Sequence, residues 1–155
     1  MTVAAAIPDL AFRFEVRVDE AQLGTAIEHV SNVQYVRWVD LAAERCLDAA
    51  GFTRARLKER GLMFFVGRHE IDYLAETFLG DELLVATWLS ACGRAGHERR
   101  TSILRRGPAG ADEPVCTARS RWVLVDLASR RPVRVPDDLR AALGPVLDGT
   151  EPDDA

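Results

Sequence analysis

Side chains that could act on an acyl group are concentrated just before and at the start of a predicted helix. Asp19 and Glu28 are carboxylates, and His29 and Asn32 can form hydrogen bonds. A carboxylate can activate water as a general base or attack an acyl carbon directly. A helix N-terminus presents unpaired N–H groups and a partial positive charge, which can stabilise a developing oxyanion. The start of this helix, around residues 31–33, is therefore a candidate oxyanion-binding site with carboxylates nearby.

Position favours Glu28 as the catalytic carboxylate. Glu28 lies three residues before the predicted N-cap Ser31, so its side chain can reach a carbonyl group held at the helix start. Asp19 ends the first predicted strand, and the loop after it leaves its distance from the helix open. We therefore predict Glu28 as the catalytic carboxylate, Asp19 as its alternative, and His29 and Asn32 as catalytic hydrogen-bonding residues. The other interpretation of Glu28 is a charge that favours the helix dipole.

A second set of residues is predicted to contact the substrate. Thr25, Val33 and Tyr35 flank the helix start. His69 shares strand parity with a largely apolar set of residues, namely Met63, Phe65, Ile71 and Tyr73. If that face meets the helix, His69 approaches the active loop, and Thr25, a carboxylate and His69 could act as nucleophile, base and orienting group. The alternatives are a satisfied core histidine for His69 and a packing role for Tyr35.

Arginines are clustered towards the middle of the chain, at Arg94, Arg99, Arg100, Arg105 and Arg106. Guanidinium groups pair well with phosphate, because their donors match its geometry. We predict that Arg99 and Arg100 bind phosphate groups of the substrate. The alternative is that they form the solvated face of a strand.

A long helix is predicted over residues 31–50. Ser31 and Gln34 have the spacing of a capping box, and Gly51 stands where a left-handed C-terminal cap would fall. The apolar stripe of this helix comprises Val36, Val39, Ala43, Cys46, Leu47 and Ala50. Such a helix is long for this chain, so it is expected to pack against something broad.

The other predicted elements are mostly strands. Apolar and charged residues alternate over 12–18, which is typical of a strand with one buried face. Four more strands are predicted after the helix, over 63–74, 83–91, 98–106 and 115–127. Strands in hairpin succession favour an antiparallel sheet, and one helix must cover one of its faces. The order therefore predicts an α+β architecture.

Length and composition fit one globular domain. The chain has 155 residues, of which 48% are hydrophobic and 28% charged, so one domain is expected over 1–155, with its core at about 12–143. The acidic segment 148–155 is expected to be flexible. A formal net charge of -4 gives no overall basic field, so a nucleic-acid partner is not expected.

The cysteines and the hydropathy pattern predict a cytoplasmic protein. Cys46, Cys92 and Cys116 have no metal-like spacing, so neither a metal nor a cofactor is expected. The N-terminal residues show no basic region followed by a long apolar run, and no stretch is long and apolar enough to span a bilayer. We expect reduced thiols and no membrane partner.

Four motifs occur in a fixed order along the chain: His29–Trp38 (HVSNVQYVRW), Arg68–Leu74 (RHEIDYL), Leu79–Leu83 (LGDEL) and Arg131–Pro136 (RPVRVP) with the residues after it to Leu143. Together they resemble the 4-hydroxybenzoyl-CoA thioesterase family of hotdog-fold proteins over roughly residues 12–143. The resemblance implies a curved antiparallel sheet wrapped around one long central helix. It also implies a homodimer or tetramer with its active site at the subunit interface, and a substrate that is an acyl-CoA or an acyl-carrier-protein thioester.

One position departs from the family pattern. The family commonly has Asp-x-x-Gly-His-Val-Asn-Asn, in which the Asp is catalytic. Counted back from His29, this chain has Thr25 at the Asp position and Glu28 at the Gly position. Aligned instead on Leu23 and Gly24, the chain has Ala21 at the Asp position, so the Asp is absent either way. The resemblance implies thioester hydrolysis, while the missing Asp keeps two alternatives open: a non-catalytic acyl-thioester-binding protein, and a hydratase or dehydratase on the same fold.

Overall fold

An antiparallel sheet covered on one face by a long helix forms the body of the molecule. The computed structural model describes residues 6–147, so the prediction for segment 148–155 lies outside the described residues. The strands are β1 (Phe12–Arg17), β2 (Leu62–Tyr73), β3 (Glu82–Cys92), β4 (Gly96–Arg105), β5 (Glu113–Asp126) and β6 (Arg131–Pro132). The helices are α1 (Asn32–Ala49), α2 (Arg54–Glu59) and α3 (Asp137–Leu143). Short 3-10 turns lie at Glu20–Gln22 and Pro108–Gly110.

The connectivity of the sheet forces α1 across its face. The strand order is β1-β3-β4-β5-β2, each neighbouring pair is antiparallel, and the short β6 pairs antiparallel with the end of β5. Since β1 and β2 form opposite edges, the chain between them must cross the sheet, and α1 does so while packing against β3 and β4. The helix thereby shields the backbone and the apolar surface on that face of the sheet from water, which is the reason for the α+β layering.

Both ends of α1 lie close to their predicted positions, and local interactions set them. Ser31 is the N-cap, and its Oγ accepts a hydrogen bond of 3.3 Å from the Val33 amide. The Ser31 amide donates to the carbonyl of Gln22 at 3.0 Å, in place of the predicted reciprocal bond to the Gln34 side chain. Gly51 has φ +88°, which is the left-handed conformation predicted for the C-terminal cap.

The buried face of α1 is rotated from the predicted one. Its buried residues are Gln34, Tyr35, Trp38, Val39, Ala42, Ala43 and Leu47. Val36 and Cys46 are half-buried and Ala50 is exposed. The aromatic rings decide the orientation, because Tyr35 and Trp38 bury far more apolar area than Val36 and Cys46 can. Tyr35 and Trp38 pack edge to face with centroids 5.4 Å apart.

A β-bulge divides β2 into two halves whose inward faces are out of phase. The pairing with β5 shifts between Val66 and Arg68. Before the shift Phe64 is buried and Phe65 is 45% exposed, while after it His69 turns inward. The predicted common face of Phe65 and His69 is therefore wrong, since one extra residue reverses the alternation of a strand.

His97 is a titratable residue in the core beneath the second half of α1. It is buried, and its ring packs edge to face on Phe64 with centroids 5.0 Å apart. Burial, followed by the positive charges of Arg99 and Arg140, lowers the pKa of His97 from 6.5 to about 3. The folded protein therefore holds this imidazole neutral throughout the mildly acidic range.

Folding stability should consequently fall as the pH drops below about 6.5. In that range the unfolded chain binds a proton at His97 that the folded chain does not, until the pH nears about 3. Between pH 7 and pH 5 we expect the wild type to lose about 2 kcal/mol more unfolding free energy than His97→Gln does. Urea unfolding at the two pH values measures the difference, and parallel losses in both proteins would contradict it.

Candidate active site

A cleft of about 620 Å³ opens at the N-terminus of α1. One wall is the loop before the helix together with the first turn, and the other is the segment that follows β2. The lining residues are Gly24, Thr25, Ala26, Ile27, His29, Val30, Ser31, Asn32, Tyr35, Tyr73, Leu74, Ala75 and Glu76. The cleft thus joins two parts of the sequence whose nearest lining residues, Tyr35 and Tyr73, are 38 positions apart.

Thr77 fastens the segment after β2 to the helix. Its side chain is fully buried, and Oγ1 lies 2.6 Å from the Tyr35 hydroxyl. Its carbonyl accepts a hydrogen bond of 2.9 Å from the Val30 amide. Burial raises the pKa of Tyr35, so the phenol stays neutral and can take part in this bond at physiological pH. The Tyr73 hydroxyl adds a further bond of 3.3 Å, to the carbonyl of Asn32.

A hydrogen bond between His29 and Glu76 lies in the cleft. His29 Nδ1 is 2.9 Å from Glu76 Oε1, and the two side chains are 32% and 64% exposed. Both backbones are held, since the His29 carbonyl accepts from the Gly24 amide at 2.8 Å and the Glu76 carbonyl accepts from Arg105 Nη1 at 2.8 Å. A carboxylate and an imidazole are therefore fixed side by side next to the helix start.

Arg105 anchors the far side of the same segment. Besides Glu76 it binds Asp81 Oδ2 at 3.3 Å and Glu113 Oε2 at 2.6 Å. The hydrogen bond with Glu113, with a smaller contribution from Asp81, raises the pKa of Arg105. Asp81 belongs to the LGDEL motif and also accepts from the Phe78 amide at 2.9 Å. The motif thus shapes the turn that presents Glu76.

The first turn of α1 offers a donor to the cleft. The amides of Val33 and Gln34 both bond to Ser31, at 3.3 Å and 2.9 Å. Within residues 6–147 the Asn32 amide makes no hydrogen bond, and Asn32 lines the cleft. This N–H and the positive end of the helix dipole can together stabilise an oxyanion.

Four of the residues predicted from the sequence line this cleft: Thr25, His29, Asn32 and Tyr35. The structure brings them together as expected, and their roles stay predictions. Val33 lies in the same turn, with its side chain exposed outside the cleft lining. Tyr35 is buried and forms part of the cleft wall.

Neither predicted carboxylate lies in the cleft lining. Glu28 is exposed at the surface of the loop. Asp19 caps the 3-10 turn that follows β1: its Oδ1 accepts from the Ala21 amide at 3.0 Å, and its amide donates to Gln22 Oε1 at 3.0 Å. A capping carboxylate of this kind satisfies a free backbone N–H, which accounts for its place at the end of the first strand.

The other predicted contact residues face elsewhere. His69 bridges α1 to the sheet, with Nε2 at 3.0 Å from Asp40 Oδ1 and Nδ1 at 2.7 Å from Ser120 Oγ. Arg99 is only 2% exposed, and its Nη1 lies 3.5 Å from Cys46 Sγ. A buried guanidinium is out of reach of a phosphate in solvent, so the prediction for Arg99 is corrected. Arg100 is half-buried and outside the cleft, and its role stays a prediction.

Glu76 is the site residue that sequence reasoning missed. It follows the RHEIDYL motif, and nothing local in the sequence indicates that this segment meets the helix start. The contact depends on the curl of the sheet and on the Thr77 anchor, which are long-range features. The available signal was that few residues separate Tyr73 from the LGDEL turn, so Glu76 has little freedom to move away from the end of the strand.

The comparison of sequences identifies the family. A profile of the thioesterase-like superfamily matches residues 16–143. The match spans most of the chain, which therefore belongs to the thioesterase-like superfamily. No curated protein matches the sequence at a significant level. Within residues 6–147, no helix has the length and apolar character needed to cross a membrane.

Solved structures share the fold. The 1,4-dihydroxy-2-naphthoyl-CoA thioesterase of Synechocystis aligns with a TM-score of 0.77 and 20% identity, over 86% of this chain and 95% of that chain. The 4-hydroxybenzoyl-CoA thioesterase of Pseudomonas sp. strain CBS-3 gives 0.76 and 22%, over 85% and 98%. A Staphylococcus aureus hypothetical protein in complex with CoA gives 0.81 and 13%, over 97% and 92%. The predicted α+β hotdog fold is thereby confirmed.

The hydrogen bond between Tyr35 and Thr77 should show strong coupling. Tyr35→Phe and Thr77→Val each leave one buried hydroxyl without its partner, so each should cost about 1–3 kcal/mol of unfolding free energy. The double variant should cost clearly less than the sum, because both polar groups are gone. Urea unfolding of the four proteins measures this, and additive costs would show that the bond is not formed.

Proposed function

We propose that this protein hydrolyses an acyl thioester of coenzyme A or of an acyl carrier protein, releasing a free acid and a thiol, in the cleft at the N-terminus of α1. One observation carries the proposal: the unpaired Asn32 amide and the His29–Glu76 pair share one cleft. A helix N-terminus suits the oxyanion that forms when a thioester carbonyl is attacked. A carboxylate–imidazole pair suits the proton transfers that the reaction needs.

The shape of the cleft supports a thioester of moderate size. Its volume of about 620 Å³ lies within the usual range for small-molecule sites. Ile27, Val30 and Leu74 give it apolar walls, which suit an acyl or aryl group. A carbonyl oxygen at the Asn32 amide would place the thioester in the cleft that Glu76 also lines.

Membership of the thioesterase-like superfamily supports the same reaction. Two proteins with this fold are a 1,4-dihydroxy-2-naphthoyl-CoA thioesterase and a 4-hydroxybenzoyl-CoA thioesterase, and a third is described in complex with CoA. These likenesses favour a CoA thioester as substrate. We place the enzyme in the cytoplasm, because Cys46, Cys92 and Cys116 are all free, as is usual in a reducing compartment.

Release of free thiol tests the proposal. The protein is incubated with a panel of aliphatic and aryl acyl-CoA esters, and the thiol is followed with a thiol-reactive dye. We expect turnover well above background on at least one ester, and the same acyl group on a carrier protein shows which thiol carrier is preferred. If esters bind but no thiol appears from either carrier, the protein is a binding module and the proposal fails.

We also propose that the protein forms a homodimer, or a tetramer built from such dimers, through the free edge of β2. Within residues 6–147 this edge has no neighbouring strand. Phe65, Val66, Tyr73 and Leu74 lie on or beside it as exposed apolar residues. An unpaired edge with apolar side chains attracts another strand, and a second copy of β2 could pair with it symmetrically. Such a partner would also lie close to the cleft, which Tyr73 and Leu74 line.

Light scattering should give at least twice the monomer mass of 17.1 kDa. Phe65→Lys should shift the mass towards the monomer, because a charge on a dimer interface is costly to bury. Leu10→Lys is the matched control, since Leu10 is an exposed leucine away from β2 and should leave the mass unchanged. A monomeric wild type at micromolar concentration would overturn the dimer.

A further inference from the structure

We propose that Glu76 is the general base of the hydrolysis and that His29 is the residue that positions it; this inference rests on the proposed function. Among the residues that line the cleft, Glu76 is the one that carries a carboxylate. Glu28 is exposed outside the lining, and Asp19 is engaged in capping its own turn. The assignment therefore moves the catalytic carboxylate from the loop before α1 to the segment after β2.

The backbone at Glu76 is held rigidly enough for a catalytic group. Its carbonyl accepts from Arg105 Nη1 at 2.8 Å. The next residue, Thr77, is fully buried and bonds to Tyr35 through its side chain and to Val30 through its carbonyl. A site placed on a fixed segment keeps its geometry better than one on a free loop. Two anchors on adjacent residues therefore fix where the Glu76 side chain starts.

His29 occupies one oxygen of the carboxylate and leaves the other for water. Nδ1 of His29 lies 2.9 Å from Oε1. Within residues 6–147, Oε2 makes no hydrogen bond, and the Glu76 side chain is 64% exposed, so water reaches it. An Nδ1–H that donates to Oε1 restricts the rotation of the carboxylate. Oε2 thereby stays available to water in the cleft that Asn32 also lines.

The proposed reaction needs only water and the thioester. Glu76 takes a proton from a water molecule, and the water oxygen forms a bond to the acyl carbon. The carbonyl π electrons move to its oxygen, which the Asn32 amide stabilises as an oxyanion. When the oxyanion collapses, the carbon–sulfur bond breaks and the thiolate leaves. The proton held by Glu76 passes to the sulfur, so the products are the acid and the free thiol, and the carboxylate is restored.

An isosteric substitution of Glu76 distinguishes a general base from a structural residue. Glu76→Gln should lower kcat on the best acyl thioester by about 10²–10⁴-fold, as the loss of a general base does. Its melting temperature should be unchanged, as should its affinity for a non-hydrolysable thioether analogue of that substrate. Glu59→Gln, on an exposed carboxylate at the end of α2, is the matched control and should keep wild-type kcat.

The positioning role of His29 has its own readout. His29→Ala should lower kcat by about 10–100-fold with little change in KM, because a misplaced catalytic group loses rate rather than binding. His29→Gln retains a donor for Oε1 and should recover part of the loss. In a Glu76→Gln background, His29→Ala should have no further effect on kcat, since the group that it positions is absent.

The outcomes distinguish this inference from the proposed function. If the wild type is active but Glu76→Gln keeps its kcat, the assignment is wrong while the thioesterase function stands. If Glu28→Gln abolishes turnover and Glu76→Gln does not, the base belongs to the loop before α1. If the wild type releases no thiol from any ester, both proposals fall together.

Discussion

The geometry of the cleft depends on the buried hydrogen bond between Tyr35 and Thr77. One partner belongs to the first turn of α1 and the other to the segment after β2, and their oxygens are 2.6 Å apart. A buried hydroxyl without a partner is costly, so each side chain requires the other to be in place. The bond thus ties the helix start to a segment forty-two residues away. His29, Asn32, Tyr73 and Glu76 all lie within six residues of one of its two ends.

Arg105 completes this arrangement from the outside. It links the carbonyl of Glu76 to the carboxylates of Asp81 and Glu113, which belong to the turn before β3 and to the start of β5. Arg105 is the last residue of β4, so its hydrogen bond fixes the position of Glu76 relative to the sheet. The bonds of Thr77 fix the same segment relative to the helix. The two layers of the fold therefore meet at this pair of adjacent residues.

Local signals in the sequence predicted the elements, while the site required long-range contacts. Ser31 and Gly51 set the ends of α1 through chemistry within a few residues, so they could be recognised directly. The six-residue α2 lacks a strong periodic signal and was not predicted. The bulge in β2 was missed because the residues around Gly67 continue to read as a strand. Glu76 was missed because its neighbours come from another part of the chain.

The departure from the family pattern acquires a physical meaning in the structure. Counted back from His29, Thr25 stands where the resemblance places an aspartate, and Thr25 lines the cleft. Under our proposal the negative charge enters the same space from the opposite wall, at Glu76. A reaction centre requires a carboxylate at a certain point and does not depend on which segment supplies it.

At the bulge around Gly67, the number of residues in β2 matters more for the fold than the type of residue at that position. Gly67 has no positive φ, and a Cβ there would meet its nearest atoms at an ordinary 3.7 Å. A larger residue should therefore be accommodated. Loss of the residue is a different matter, since it would rotate Ile71 and Tyr73 away from the helix while Phe64 kept its place. Related chains should thus vary freely in residue type at this position and tolerate no deletion there.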